Sequence, residues 1–388
     1  RSSDLGGDKA AGQPPPRADR CPPFQGSGMS SRRNPYEWRA TNDRARTVER
    51  TARSARIIME KKPKQCVGNI VYLTDGPTDN KTSADRKTLY RDTEYLVEDV
   101  RDPSGEVTRR LVFVKSFQRV QSQVVLEYAD GQLDSANQAW GLLAAKEGKK
   151  PARNTKMLDF AYNRVLFFAV NVFGEGPRDN GVIIGLGSGI LGDFFKTYQP
   201  QIQLTEVESS DKVISLATDF FLYNRKAIKA DGVEFVSSVA EASTNFIIVD
   251  VDDSQVADST VPTHAFNTSK FVSAAFKALT KGGVLAVNCI PKAGGSHKAL
   301  IEEMHHHFGQ VWEIPALREE YSVYVSVKGA GEGQEPGWAA WSKWGEKRTK
   351  ALQNEILKGN KDDWEENEFA DISEGVRLAS GDISTKAN

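Results

Sequence analysis

The sequence predicts an α/β protein: a doubly wound sheet with an antiparallel last strand, preceded by a small antiparallel β-hairpin region. Three observations carry this. Over residues 182–289, short apolar runs alternate with segments of helical periodicity, the pattern of a mostly parallel sheet with crossover helices. The first run, Val182-Ile183-Ile184, passes straight into Gly185-Leu186-Gly187-Ser188-Gly189 and then Ile190-Leu191-Gly192-Asp193-Phe194-Phe195. That is a strand, a glycine turn and a helix start, which together present backbone N–H groups to an anionic or nucleotide-like ligand. After the last helix, residues 310–314 and 321–327 form two apolar strands that close the sheet as a hairpin.

Taken in order, residues 1–66 form a basic arm. The first 35 are rich in Gly, Pro, Ser and Arg, with too few aliphatic residues to build a core, and are expected to be disordered. Arginines 39, 44, 46, 50, 53 and 56 follow on a stretch with helical potential. The readings for it are a solvated tail and an arm contacting RNA or an acidic partner. Residues 67–150 read as a small antiparallel β region and linker. A strand is expected at 69–73, and runs at 94–100 and 109–114 flank the turn Asp102-Pro103-Ser104-Gly105; a third strand at 120–126 extends the hairpin. Residues 146–156 read as a basic linker. Residues 151–330 hold the doubly wound domain. It opens with an apolar helix at 158–173, and strands are expected at 182–184, 202–207, 233–236, 245–250 and 283–289. Residues 331–388 form a tail with Trp338, Trp341 and Trp344 at helical spacing, then an acidic run. The tryptophans either dock on the same domain or contact a partner.

Bulk composition excludes several classes. Apolar residues are 39% and charged residues 27% of the 388 residues, enough for a real core, and the net charge of −1 gives no global field to draw in nucleic acid or an anionic membrane. No apolar run reaches the length of a membrane span. Cys21, Cys66 and Cys289 lie too far apart to read as a disulfide framework or zinc site, which suits a reducing compartment. A cytoplasmic location is the expectation, and a mitochondrial one stays open because the sequence starts at Arg1.

The candidate site follows from topology. In a doubly wound sheet the ligand lies at the carboxyl ends of the strands, where their order reverses. Gly185, Gly187 and Gly189 form the turn there. Glu206 lies 21 residues beyond Gly185, the spacing at which a carboxylate reaches ribose hydroxyls, and Glu208 assists. After the fourth strand come Asp250 and Asp252, which read equally as holders of an amine by charge-assisted hydrogen bonds and as helix caps. Asn288 and Cys289 end the fifth strand, Cys289 as a small core residue. His305, His306 and His307 are consecutive on a helix and splay in three directions, so no metal site is expected there.

With these residues in place, the chain resembles the class I S-adenosylmethionine-dependent methyltransferases, whose domain is Rossmann-like. It has Gly-x-Gly-x-Gly, not the Gly-x-Gly-x-x-Gly of dinucleotide sites. Tyr95-Leu96-Val97-Glu98-Asp99-Val100, Arg109-Arg110-Leu111-Val112-Phe113, Val120-Gln121-Ser122 and Val249-Asp250-Val251-Asp252 narrow the likeness to the spermidine-synthase-like subgroup. Within it, they point to the C-terminal domains of dual methyltransferases acting on elongation factor 1-alpha. The similarity covers about residues 94–328. It implies S-adenosyl-L-methionine as cofactor and a glutamine, Gln121, against its methionine part. It also implies that Leu158-Asp159-Phe160-Ala161-Tyr162-Asn163 is the counterpart of the Asp-Glu-Phe-x-Tyr-His helix of spermidine synthases. Asn163 in place of the His, and a missing Asp-Pro after Asp250 and Asp252, argue against aminopropyl transfer. The adenine-binding Asp expected after the third strand is replaced by Val236-Ser237-Ser238-Val239, leaving Ser238 as the neutral substitute. The resulting expectation is a methyltransferase acting on a protein amine, an N-terminus or a lysine, with a translation factor as one substrate reading. Asp250, Asp252 and Asn288 would be its catalytic residues. The alternative is a weak or inactive scaffold in a larger, RNA-containing assembly, motivated by Ser237-Ser238 and the long flanks.

Overall fold

The structure, a computed structural model, describes residues 86–102, 106–115, 119–127, 151–174, 178–252, 261–290, 297–316 and 321–329, together with a few positions from 345 to 379. The arginine arm, the strand expected at 69–73 and Trp338, Trp341 and Trp344 lie outside the described residues.

Five antiparallel strands make the first sheet: β1 (Arg86–Arg91), β2 (Tyr95–Arg101), β3 (Val107–Phe113), β4 (Arg119–Glu127) and β5 (Ala152–Arg153), in that order across the sheet. The hairpin read from the Asp-Pro-Ser-Gly turn is β2–β3, with Tyr95 opposite Phe113 and Val97 opposite Leu111. β1 was not foreseen; its RKTLYR sequence is polar and its side chains are half-buried or exposed. β5 falls inside the stretch expected to be linker.

The second sheet has eight strands in the order β13-β11-β12-β10-β9-β6-β7-β8. Here β6 is Asn180–Ile184, β7 Gln203–Glu208, β8 Ile228–Lys229, β9 Thr244–Val249, β10 Leu279–Cys289, β11 Trp312–Pro315, β12 Ser322–Val327 and β13 Arg377–Leu378. The pairs β6–β7, β7–β8, β6–β9 and β9–β10 are parallel. β12 runs antiparallel between β10 and β11, which is the antiparallel closing hairpin.

Helices cover both faces. They are α1 (Ala161–Phe173), α2 (Ile190–Tyr198), α3 (Asp211–Phe220), α4 (Gly232–Ser238), α5 (Ser269–Ala278) and α6 (Lys298–Phe308). The strands at the centre are apolar on both sides, and successive residues enter different cores. Ile183, Phe246, Ile248, Val284 and Ala286 pack with α1, α2 and α3, while Val182, Ile184, Ile247, Val249, Leu285 and Val287 pack with α4, α5 and α6. This two-sided burial is why these strands read as continuous apolar runs and not as alternating ones. α1 contributes the largest aromatic mass, with Phe167 set edge-on to Phe194 at a centroid distance of 4.8 Å.

One expected strand is a helix. Val233-Glu234-Phe235-Val236 belongs to α4, which starts at Asp231: its Oδ1 accepts the N–H groups of Val233 (2.9 Å) and Glu234 (3.0 Å). The third strand of the doubly wound set is the two-residue β8, five positions earlier, at the sheet's edge. A side-chain cap of this strength fixes the helix start at Gly232 and rules out extended backbone at 233–236.

Candidate active site

Strand order reverses between β6 and β9: the chain runs outward through β7 and β8, then returns to the other side of β6. A cavity of about 520 Å3 opens at the carboxyl ends of these strands, within the roughly 300–1,000 Å3 usual for small-molecule sites.

The glycine turn forms its floor. Gly185, Gly187 and Gly189 all have positive φ, at 97°, 52° and 77°. A Cβ on Gly185 would stand 1.9 Å from the Asp250 carbonyl oxygen, and one on Gly189 would stand 2.5 Å from the Tyr223 ring. Gly185 and Gly187 line the cavity; Gly189 sits behind it as the N-cap of α2. The turn is less open to a ligand than its sequence suggests. Four of its five N–H groups are used within the protein: Gly185 donates to Val207 O, Leu186 to Glu208 Oε2, Ser188 to Ser122 Oγ and Gly189 to Leu186 O.

Of the two β7 carboxylates, Glu208 lines the cavity and Glu206, the one expected there, does not. Strand alternation puts both residues on one side of β7, but they stand at different depths. Glu206 pairs in register with Ile183 in mid-strand, so its side chain lies beneath α2; Glu208 reaches past the end of β6 to the turn. Glu206 is 3% exposed and does not line the cavity. Its carboxylate is held by Arg225 at two points (2.8 Å each) and by the Tyr223 hydroxyl (3.0 Å). Burial raises its carboxyl to about 7 against the pull of Tyr223 and Arg153. Glu208 accepts Leu186 N–H (3.0 Å) and Ser210 N–H (2.8 Å) and lines the cavity.

A second correction concerns Ser238. It is exposed near the end of α4, its hydroxyl donates to Phe235 O (2.7 Å), and it is not at the cavity. The cavity is lined instead by Ala230, Asp231 and Gly232, just past β8. An aspartate does follow the third strand, and the Val236-Ser237-Ser238-Val239 departure was a consequence of the misplaced strand.

At the other end of the cavity, Asp250, Asp252 and Asn288 come together. Asn288 Nδ2 donates to Asp250 Oδ1 (2.9 Å), and the Asn288 carbonyl oxygen is buried with no partner. The Tyr162 hydroxyl also donates to Asp250, and burial raises the Asp250 carboxyl to about 6. Tyr162 stacks on Tyr321 at 4.8 Å, and both rings line the cavity. Beside them is Asn163, buried, with Oδ1 unpartnered. From β4, Gln121 reaches the cavity with a buried, unpartnered Nε2. Ser122, Tyr162, Tyr321 and Asp231 are cavity residues that the sequence reading did not name as site residues, although Ser122 and Tyr162 lie in the stretches that carry the resemblance; Asp231 is itself the N-cap of α4.

Cys289 is fully buried in β10 and burial pushes its thiol up, so it is a packing residue. The three histidines end α6. His305 contacts the Ala379 carbonyl (3.1 Å), and no group of residues spaced to hold a metal occurs among those described. No helix among the described residues is long and apolar enough to cross a membrane.

The strand order, the glycine turn on the first central strand and the antiparallel closing hairpin make the second sheet a Rossmann-like, doubly wound α/β fold, with a separate antiparallel sheet formed by the preceding residues. No family model matches the chain. Two curated proteins are similar to it. One is the eEF1A lysine and N-terminal methyltransferase of Danio rerio, 23% identical over 257 residues that are 62% of this chain and 37% of that protein. The other is the protein of the same name from Xenopus laevis, 25% identical over 243 residues, 56% of this chain and 34% of that protein. The chain thus spans little more than a third of the length of these relatives. Solved structures with a related fold include human methyltransferase-like protein 13 in complex with SAH (TM-score 0.43, 17% identity, 50% of this chain and 92% of that one). Another is a probable spermidine synthase from Corynebacterium glutamicum (TM-score 0.48, 19% identity, 71% and 88%).

Proposed function

We propose that the cavity binds S-adenosyl-L-methionine and that the protein methylates an amine on a protein substrate. The observation that carries this is the set of groups around one cavity: the Glu208 carboxylate beside the glycine turn, Asp231 after β8, and the unpartnered Gln121 Nε2. These fit the cofactor's chemistry. Glu208 accepts Leu186 N–H at Oε2 and Ser210 N–H and the Ser209 hydroxyl at Oε1, and Oε2 is the oxygen that would accept a ribose hydroxyl. Asp231 supplies an acceptor for an adenine amino group. A buried amide donor without a partner is costly unless a ligand accepts from it, and Gln121 Nε2 would meet an oxygen of the methionine part.

The bound cofactor would supply an activated methyl group. The chain's own task is then alignment and desolvation of the nucleophile. Asp250, Asp252 and the unpartnered Asn288 oxygen form an acceptor-rich end suited to an ammonium group, which carries three donors. The Asp250 carboxyl, raised to about 6, is ionised at neutral pH and takes a proton more readily than an ordinary carboxylate. The Tyr162 and Tyr321 rings wall this end and exclude water.

The substrate reading rests on the names of the similar proteins: an N-terminal amine or a lysine of a translation factor, elongation factor 1-alpha foremost, met in the cytoplasm. Of the two motives for the scaffold alternative, the Ser237-Ser238 departure falls away, since Ser238 is not at the cavity and Asp231 is; the long flanks lie outside the described residues. The test is incubation of the protein with methyl-labelled cofactor and purified elongation factor 1-alpha. Label on its N-terminus or a lysine supports the reading; label on neither, with the cofactor bound, refutes this substrate.

A further inference from the structure

Behind the glycine turn, away from the cavity, lies a buried group of charges that the proposed chemistry does not use. Arg153, from the short strand β5, pairs with Asp193 (2.8 Å) and donates through Nη2 to the Ser188 carbonyl (2.9 Å). Arg225, from the loop after α3, pairs with Asp193 and Glu206 and donates through Nη2 to the Gly189 carbonyl (3.1 Å). The side chains of Arg153, Asp193 and Glu206 are 5%, 11% and 4% exposed, and that of Arg225 is 20% exposed. Two guanidinium groups against two carboxylates make the group neutral.

Buried ion pairs of this kind contribute little net stability compared with well-packed apolar side chains, because desolvation offsets the attraction. What this one does is geometric. Its two arginines grip consecutive carbonyls of the turn, and at Arg225 the fork of fixed N–H directions holds the Glu206 carboxylate and the Gly189 carbonyl at once. Ser188 is also held from the front: its N–H donates to Ser122 Oγ (3.0 Å) and its hydroxyl lies 2.7 Å from the same oxygen. The small sheet, through Ser122 of β4 and Arg153 of β5, therefore fixes both the N–H and the C=O of a residue that is itself 0% exposed.

We infer that Arg153 and Arg225 are positioning residues for the cavity: by holding the Ser188 and Gly189 carbonyls they keep the glycine turn in the conformation that receives the ligand. The inference rests on the reading of the cavity as a cofactor site. Neither arginine lines the cavity, so their effect would pass entirely through the turn.

The experiment measures S-adenosylhomocysteine affinity by calorimetry, thermal midpoint, and cofactor KM against kcat for Arg153→Lys, Arg225→Lys and Ser122→Ala. Each lysine keeps a positive charge for the carboxylates but not the fork. The expected result is a roughly tenfold higher Kd and KM for each lysine variant, about 1.4 kcal/mol, with kcat held and the midpoint within a few degrees of wild type. Ser122→Ala changes no charge and is expected to raise Kd several-fold, but Ser122 also lines the cavity, so it checks the front contact alone; lysine variants that do not fold assign the arginines to stability and overturn the positioning role. Folded variants with wild-type affinity overturn the positioning role alone. A wild-type protein that binds no S-adenosylhomocysteine overturns the cofactor reading and this inference with it.

Discussion

Replacing Glu208 with glutamine separates the two carboxylates of β7 by what each does. In the wild type, Glu208 holds the Leu186 and Ser210 N–H groups at 3.0 and 2.8 Å and lines the cavity. The amide keeps one acceptor oxygen, so at least one charge-assisted hydrogen bond to a ribose hydroxyl is lost. Such bonds are worth about 1.5–3 kcal/mol, which converts to a roughly 10- to 100-fold rise in the Kd for S-adenosylhomocysteine. Glu206→Gln does something different. It leaves Arg225 with half of a buried pair, a change that costs about 3–5 kcal/mol of stability, or roughly 10 °C in a domain of this size. The assay is calorimetric titration of both variants beside thermal melts followed by circular dichroism. Glu208→Gln is expected to lose affinity with a small change in melting; Glu206→Gln is expected to lose melting temperature first. A Glu208→Gln protein that binds within twofold of wild type would refute the assignment of the ribose carboxylate.

Three other outcomes follow from the same geometry. Asp231→Ala removes both the helix cap and the acceptor past β8; titration should show about tenfold weaker binding and melts about 1 kcal/mol of lost stability, while Ser238→Ala should change neither. Gly187→Arg places a large side chain on a residue at φ 52° whose Cβ would already stand 3.0 Å from Ser122; binding should be abolished, as read by the absence of titration heat. With its carboxyl raised to about 6, Asp250 is ionised above that pH and neutral below it. A pH profile of kcat/KM for the amine substrate should therefore fall tenfold per unit below about 6, and Asp250→Asn should remove that limb while lowering the plateau.

The parts of the fold that were legible in the sequence are those with strong local signals. β6, β9 and β10 are buried on both faces and show it as apolar runs, and the glycines sit where left-handed backbone demands them. Placing the site past the strand ends then located Asp250, Asp252 and Asn288 beside Gly185 and Gly187. β8 was not legible for a physical reason. It is two residues long with both side chains exposed, so Ile228-Lys229 carries no apolar signature, whereas the amphipathic α4 offered one in the wrong place. That single displacement hid Asp231 and promoted Ser238. Glu206 failed differently: periodicity reports which side of a strand a residue faces but not how far along the strand the partner ends, and here two residues separate a buried ion pair from a cavity wall. Arg153 read as part of a basic linker because its partners, Asp193 and Ser188, are remote in sequence.

The most direct measurement is a titration of S-adenosylhomocysteine into the wild-type chain, followed by heat and by chemical-shift change at the Gly187 backbone amide and the Gln121 side-chain amide. A cavity built as described should saturate with one equivalent and move both signals, and Gly187→Arg should abolish the effect. Absence of heat at high ligand concentration, or saturation that leaves Gln121 and Gly187 unmoved, would contradict the account.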